Sequence, residues 1–206
     1  MSEEWPVSLR GVTESVVATL GPNDRWNQAA LGLHAPDDGD DDADPDAPVT
    51  ATTWGRTRTR RNFEREGGGV VQFTSDPVEF VDAALSVFET ADPVLPGADA
   101  WVEVAATRVE TGESEGTEWA RWELRPTAAT VRETRVPTIN RGFAAVVDAT
   151  VAASRLDVSA YDTDELLARL AYFAETVERC GGRRDRTAFE RIDEHAGWRE
   201  RRNESL

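Results

Sequence analysis

The spacing of apolar residues changes character once along this chain, near Pro137, and that change limits the folds open to it. Before it, β-branched and aromatic residues fall in short runs bounded by Gly, Pro, Asn and Asp, the pattern of strands joined by turns. Residues 12–20 alternate in part, Gly21-Pro22-Asn23-Asp24 is turn chemistry, and residues 26–34 read as the return strand of a hairpin. Further strand-like runs cover residues 49–53, 70–74, 101–109, 118–124 and 130–136. In the run 118–124, Ala120, Trp122 and Leu124 share one face, with Trp119, Arg121 and Glu123 on the other. A helix opens at Asp76-Pro77, with Pro at its first position and Phe80, Ala84, Leu85 and Phe88 on one side. Six or seven short strands with only short helices between them predict a β-barrel.

After Pro137 the period is helical. Asn140 reads as the cap of a helix whose apolar stripe is Phe143, Val146, Val147, Thr150, Val151 and Ser154. A second helix, 162–180, opens with the capping-box spacing Asp162-x-x-Glu165 and turns Leu166, Leu170, Phe173, Ala174 and Val177 inward. Cys180 is expected in its buried last turn, with Gly181 as stop. A third helix, 186–196, places Phe189, Ile192 and Ala196 together, and the polar tail after Trp198 is expected to fray. The division is therefore a barrel at 1–136 and a helical region at 137–206. An insertion at 36–48 carries seven aspartates; like charges in a block repel and stay solvated, so it is expected as a disordered loop between strands.

Several function classes drop out at this level. The two histidines, His34 and His195, are far apart, neither has a partner at metal-ligand spacing, and no metal site is expected. One cysteine excludes an intrachain disulfide. No Gly-x-Ser-x-Gly, Walker loop or Gly-x-Gly-x-x-Gly occurs. No apolar run approaches the ~20 residues of a membrane-spanning helix, and the first residues lack the features of a signal peptide, so a cytoplasmic protein is expected. There are 39 acidic against 23 basic residues, and every basic one is Arg. A net charge of −16 without lysine is the style of a salt-adapted proteome, because molar salt shortens the Debye length to about 3 Å.

Against that acidity, residues 53–63 stand out: Thr-Trp-Gly-Arg-Thr-Arg-Thr-Arg-Arg-Asn-Phe. Five arginines lie between Arg56 and Arg65. Thr59 reads as the N-cap of a short helix, 60–66, that ends at Gly67-Gly68-Gly69, read as a loop. A helix N-terminus exposes unpaired N–H groups and the positive end of the macrodipole, and arginines add charge-assisted, often bidentate bonds. Two readings stay open on the pattern alone: a phosphate site, or surface arginines that pair with the protein's many carboxylates, each such exposed pair worth ~0–1 kcal/mol. A nucleic-acid patch is not expected, since the field of the whole protein repels a polyanion. Successive residues of an extended segment face opposite ways, so Arg56, Arg58 and Arg60 form the set expected to reach a phosphate, with Arg61 and Arg65 in surface ion pairs. On pattern alone Asn27 reads as a turn-satisfying amide.

Thr59-Arg60-Arg61-Asn62-Phe63, with a strand before it and Val70-Val71-Gln72-Phe73 after it, resembles the Thr-x-x-Asn-aliphatic segment of flavin reductase-like split barrels. More closely, Gly11-Val12-Thr13-Glu14, Thr53-Trp54-Gly55, the arginine run and Asn140-Arg141-Gly142-Phe143 resemble a mainly archaeal family known only as a domain of unknown function, similar in fold to FMN-binding split barrels. The resemblance implies an α+β protein, a split β-barrel with a C-terminal α-helical region. It also implies FMN bound without a covalent bond at a homodimer interface. The implied phosphate site is Arg56, Thr57, Arg58, Thr59 and Arg60, with Asn62 on the same helix. The flavin ring edge would meet the second and third strands near Asn27, Ala29, Leu31, Thr53 and Trp54, while Asn140 and Arg141 match a family motif. The expected activity is electron or hydride transfer to an unnamed substrate, with a binding module for a deazaflavin or pterin-type ligand as the alternative.

Overall fold

In the computed structural model, which describes residues 4–36, 47–114 and 116–204, the chain divides into two compact units. One unit comprises Met1–Ser75 and Phe88–Thr134; the other comprises Asp76–Val87 and Arg135–Leu206. By contact, then, residues 76–87 group with the C-terminal helices. The aspartates of the 36–48 insertion lie outside the described residues.

The first unit is a closed antiparallel barrel. Its strands are β1 (Val12–Leu20), β2 (Trp26–His34), β3 (Val49–Trp54), β4 (Gly68–Thr74), β6 (Ala98–Ser114) and β7 (Thr117–Val131). They run in the order β1-β4-β6-β7-β3-β2, and β2 pairs back onto β1 from Trp26–Leu20 to His34–Val12. A three-residue strand, β5 (Phe88–Thr90), attaches to β2 outside the ring. Closure leaves no open edge around the ring, which solves the unpaired-strand problem of a small sheet. Alternation decides what goes inside: Val17, Leu33, Val71, Val102, Trp122 and Leu124 are buried together. The face expected of residues 118–124 is the one observed, with Ala120, Trp122 and Leu124 at 0–2% exposure.

Strand lengths differ from the sequence reading. β6 and β7 form one long hairpin, so the expected strand at 130–136 is only the end of β7, and residues 132–139 are not strand. Phe88 belongs to β5, since α2 (Pro77–Leu85) stops at Ser86. Of the three glycines read as a loop, only Gly67 turns the chain (φ 69°); Gly68 and Gly69 are paired in β4.

The second unit consists, among the described residues, of α2, α3 (Arg141–Ala153), α4 (Thr163–Cys180), α5 (Arg183–Ala196) and α6 (Trp198–Glu204). Leu166, Leu167, Leu170, Val177, Phe189 and Ile192 build its core. The buried face of α3 shares only Val146 and Thr150 with the stripe expected from the sequence. Gly142, Ala145, Val146, Ala149, Thr150, Ala152 and Ala153 are buried, while Phe143, Val147 and Val151 are only half-buried. Close approach explains the preference for small residues: a Cβ on Gly142 would lie 2.3 Å from the Cα of Gly181. Cys180 is exposed, against expectation. The tail forms α6, because Trp198 is buried edge-to-face on Phe189 at 5.9 Å.

Candidate functional site

The arginine run folds as a tight exit from β3 into a helix, α1 (Arg58–Glu66). Pairing of β3 with β7 runs to Trp54 opposite Trp119, and the Gly55 N–H still donates to Glu118 O at 2.7 Å. The chain then turns at once. Thr57, extended at φ −64° and ψ 164°, is the N-cap, and its Oγ1 accepts from the Arg60 N–H at 3.2 Å. The cap is thus two residues earlier than the Thr59 read from the sequence. Gly67 ends the helix in the left-handed conformation, its N–H donating to Phe63 O.

That shift re-sorts the arginines. Arg58 is already helical, so side chains three and four apart share a face, and the alternation of an extended segment does not apply. Thr59, Asn62 and Phe63 point inward and are buried; Phe63 meets Trp122 with ring centroids 5.1 Å apart. Arg56 and Arg60 both turn toward Glu118, at 3.7 and 3.4 Å, and Arg60 also donates to Gly55 O. Arg58, Arg61, Asn62 and Arg65 instead line a cleft of about 490 Å³ with Gly21, Pro22 and Asn23 of the β1–β2 turn, Asn27 of β2 and Glu89 of β5.

Two of the cleft's polar walls are buried amides. Asn62 is 4% exposed and its Nδ2 donates to the backbone oxygen and hydroxyl of Thr19, the latter at 3.0 Å. Asn27 is 6% exposed and its Nδ2 reaches Thr59 Oγ1 at 3.5 Å. Three guanidinium groups supply the positive charge, and their partners differ. Arg58 is paired with Glu89, and Arg65 donates to Leu20 O and to Glu66. The Arg61 side chain makes no hydrogen bond or ion pair among the described residues.

Of the residues singled out in the sequence, the structure brings Asn27, Arg58 and Asn62 together at this cleft, and buried Thr59 accepts from Asn27. Arg56, Thr57 and Arg60 occupy the same turn but face Glu118 or cap the helix. Leu31 is buried in the barrel core, and Ala29 is partly buried against it. Thr53 Oγ1 accepts from the indole N–H of Trp122 at 2.9 Å. Trp54 is 54% exposed. Asn140 and Arg141 belong to the helical unit, where Asn140 Oδ1 accepts from the N–H groups of Gly142 and Phe143 as the cap of α3. The ion pair expected of Arg65 forms, with Glu66, whereas Arg61 makes none among the described residues, and Asn23 and Glu89 had no role in the sequence reading. The spacing of Arg58, Arg61, Asn62 and Arg65 was the available signal, once the helix start was placed correctly.

Among the described residues there is no group of three His, Cys, Asp or Glu able to hold a metal ion, and no helix long and apolar enough to cross a membrane. A cationic cleft walled by buried amides is suited to an anionic group.

Residues 13–133 match the family model described as "Protein of unknown function (DUF447) N-terminal domain", and residues 140–194 match "Protein of unknown function (DUF447)". The FMN-bound protein MM1853 from Methanosarcina mazei is similar in structure, with a TM-score of 0.73 at 22% identity, covering 91% of this chain and 96% of that one. A flavoredoxin from Methanosarcina acetivorans aligns at TM-score 0.41 and 14% identity, over 66% of this chain and 79% of its own. The flavin reductase SMOB of styrene monooxygenase from Pseudomonas putida S12 aligns at 0.39 and 13%, over 62% and 93%. No curated protein matches the chain. The α+β fold, a closed barrel with a helical unit, is therefore one shared with the Methanosarcina mazei protein.

Proposed function

The chain belongs to the DUF447 family, and from that premise we propose that it is an FMN-binding flavoprotein whose cofactor phosphate sits on the cleft face of α1. The fold match to an FMN-bound protein of the same family supports the choice of ligand. The observation that carries the placement is Arg61: its guanidinium lines the cleft and has no protein partner among the described residues. Arg58 and Arg65 flank it one helical turn away on either side, and the Asn27 and Asn62 amides add polar groups at the base. A dianionic phosphate there accepts charge-assisted bonds that a neutral ligand does not.

FMN, when bound, supplies the redox chemistry, and electron or hydride transfer is the proposed activity. This chain's own residues bind and orient: the arginines hold the phosphate end, and Asn62, tied to Thr19, keeps α1 against β1. A homodimer that completes the ring site, a cytoplasmic location and a salt-adapted, archaeal origin belong to the same reading.

The purified protein tests it directly. It should carry the absorption of oxidised flavin, and mass spectrometry of the denatured supernatant should give FMN. Protein that is colourless and takes up no FMN on titration would end the proposal. Sedimentation in high salt that returns only a 22.7 kDa species would remove the dimer.

A further inference from the structure

Among the described residues, Glu89 is the one acidic side chain lining a cleft that also holds three arginines. It is the middle residue of β5, and its backbone is fixed by pairing with Asn27 of β2. Its carboxylate spans the cleft. One oxygen accepts from Arg58 Nη1 at 2.5 Å, and the other accepts from Asn23 Nδ2, in the β1–β2 turn, at 3.3 Å. Its backbone oxygen accepts from Arg25 Nη2 at 3.3 Å, which holds the strand to the same turn.

We infer that Glu89 is a built-in competitor for the ligand phosphate, occupying Arg58 and releasing it only to a stronger anion. The inference rests on the phosphate placement proposed above. Carboxylate and phosphate oxygens offer a guanidinium the same kind of acceptor, and two anions side by side on one arginine repel. A dianionic phosphate that engages Arg61 and Arg65 has enough partners to take Arg58 as well. A weak monoanion such as chloride, able to engage one arginine at a time, does not. Glu89 thus makes the cationic face selective for a multiply charged ligand, while a neutral ligand is indifferent to it.

The test is a double-mutant cycle with FMN and riboflavin as paired probes. Glu89→Gln keeps the shape and removes the charge; because an exposed pair is worth little, FMN should bind about threefold to tenfold tighter, with riboflavin unchanged. Arg58→Ala should then cost more FMN affinity in the Glu89→Gln background than in the wild-type protein. If Gln disturbs β5, as a shift in riboflavin affinity would reveal, Glu89→Ala must show the same direction. Should the wild-type protein fail to distinguish FMN from riboflavin, the phosphate placement falls and this inference with it. Should it distinguish them while Glu89→Gln leaves FMN binding unchanged or weaker and the cycle is additive, the placement stands and the competitor is refuted.

Discussion

The barrel and the helical unit bury polar side chains in different ways. Among the described residues, Ser15, Thr19, Asn27, Gln28, Thr53, Thr59, Asn62 and Gln72 are buried in the barrel, whereas the helical unit buries Thr150 and Asp185. The two in the helical unit are satisfied within their own helices: Thr150 Oγ1 donates to Val146 O one turn back, and Asp185 accepts from the Gly182 N–H at the start of α5. Those in the barrel join separate elements. Ser15 on β1 donates to Leu31 O on β2, Asn62 on α1 to Thr19, and Gln72 on β4 to Gln28 on β2 while accepting from the Leu95 N–H. Local satisfaction serves a helix end or turn. Long-range satisfaction fixes where α1, the β1–β2 turn and β5 lie, and those are the walls of the cleft.

Removing the apolar support of that arrangement should have the largest effect. Trp122→Ala deletes a fully buried indole, its contact with Phe63 and the partner of Thr53, and should cost about 3–5 kcal/mol. Denaturant unfolding measures the loss, and hydrogen exchange should place it in the barrel, with α1 amides opening first. Exchange that rises instead in α3 and α4 would break the comparison.

The polar contrast is tested by two matched substitutions. Gln72→Leu takes the partner from Gln28 Oε1 and from the Leu95 N–H, while Gln28 Nε2 keeps Thr90 and Pro93, so a loss of about 2–4 kcal/mol is expected from the two orphaned groups. Thr150→Val removes a bond made only within one helix and should change stability by less than about 1 kcal/mol. Equal losses, read from chemical melts, would mean that the long-range bonds have no special weight.

Salt should separate folding from binding. With a net charge of −16, molar KCl should raise the thermal midpoint, and an uncharged osmolyte of equal osmolality should raise it less. The same salt should weaken FMN more than riboflavin. A midpoint that ignores salt would remove self-repulsion from the account.

The smallest effect concerns two carboxyl groups shifted in opposite directions. Partial burial pushes Glu14 of β1 above the usual carboxylate range, with His34 pulling the other way. The folded barrel therefore holds that proton more tightly than the unfolded chain, and Glu14 adds stability as pH falls through its raised pKa toward 4.5. The hydrogen bond and charge of Arg201 lower Asp157 in the helical unit; its contribution is present above 3.8 and lost as pH falls through the lowered value. In melts across this range, Glu14→Gln should gain on the wild-type protein at neutral pH and lose that advantage on acidification. A constant difference would deny the shift.

Much of this was legible in the residues. Trp122 and its alternating neighbours gave the barrel's inner face, and Asp76-Pro77 and Asp162 gave helix starts that the structure keeps. Two kinds of feature were not. Large residues on α3 misled because the buried face uses Gly142 and alanines, and close approach leaves no trace in hydrophobicity. In the arginine run, Thr57 and Thr59 are equal as caps by sequence. Only the β3–β7 register, which turns the chain just after Gly55, makes Thr57 the cap and brings Arg61 rather than Arg60 to the cleft.

The phosphate placement is therefore best tested at the residue on which the two readings of α1 disagree. FMN and riboflavin affinities should be measured for Arg61→Ala beside Arg60→Ala. One lost charge-assisted bond should weaken FMN binding to Arg61→Ala about tenfold or more, with riboflavin unchanged and Arg60→Ala close to wild type. A loss confined to Arg60→Ala, or one shared equally by FMN and riboflavin, would contradict a phosphate on the cleft face of α1.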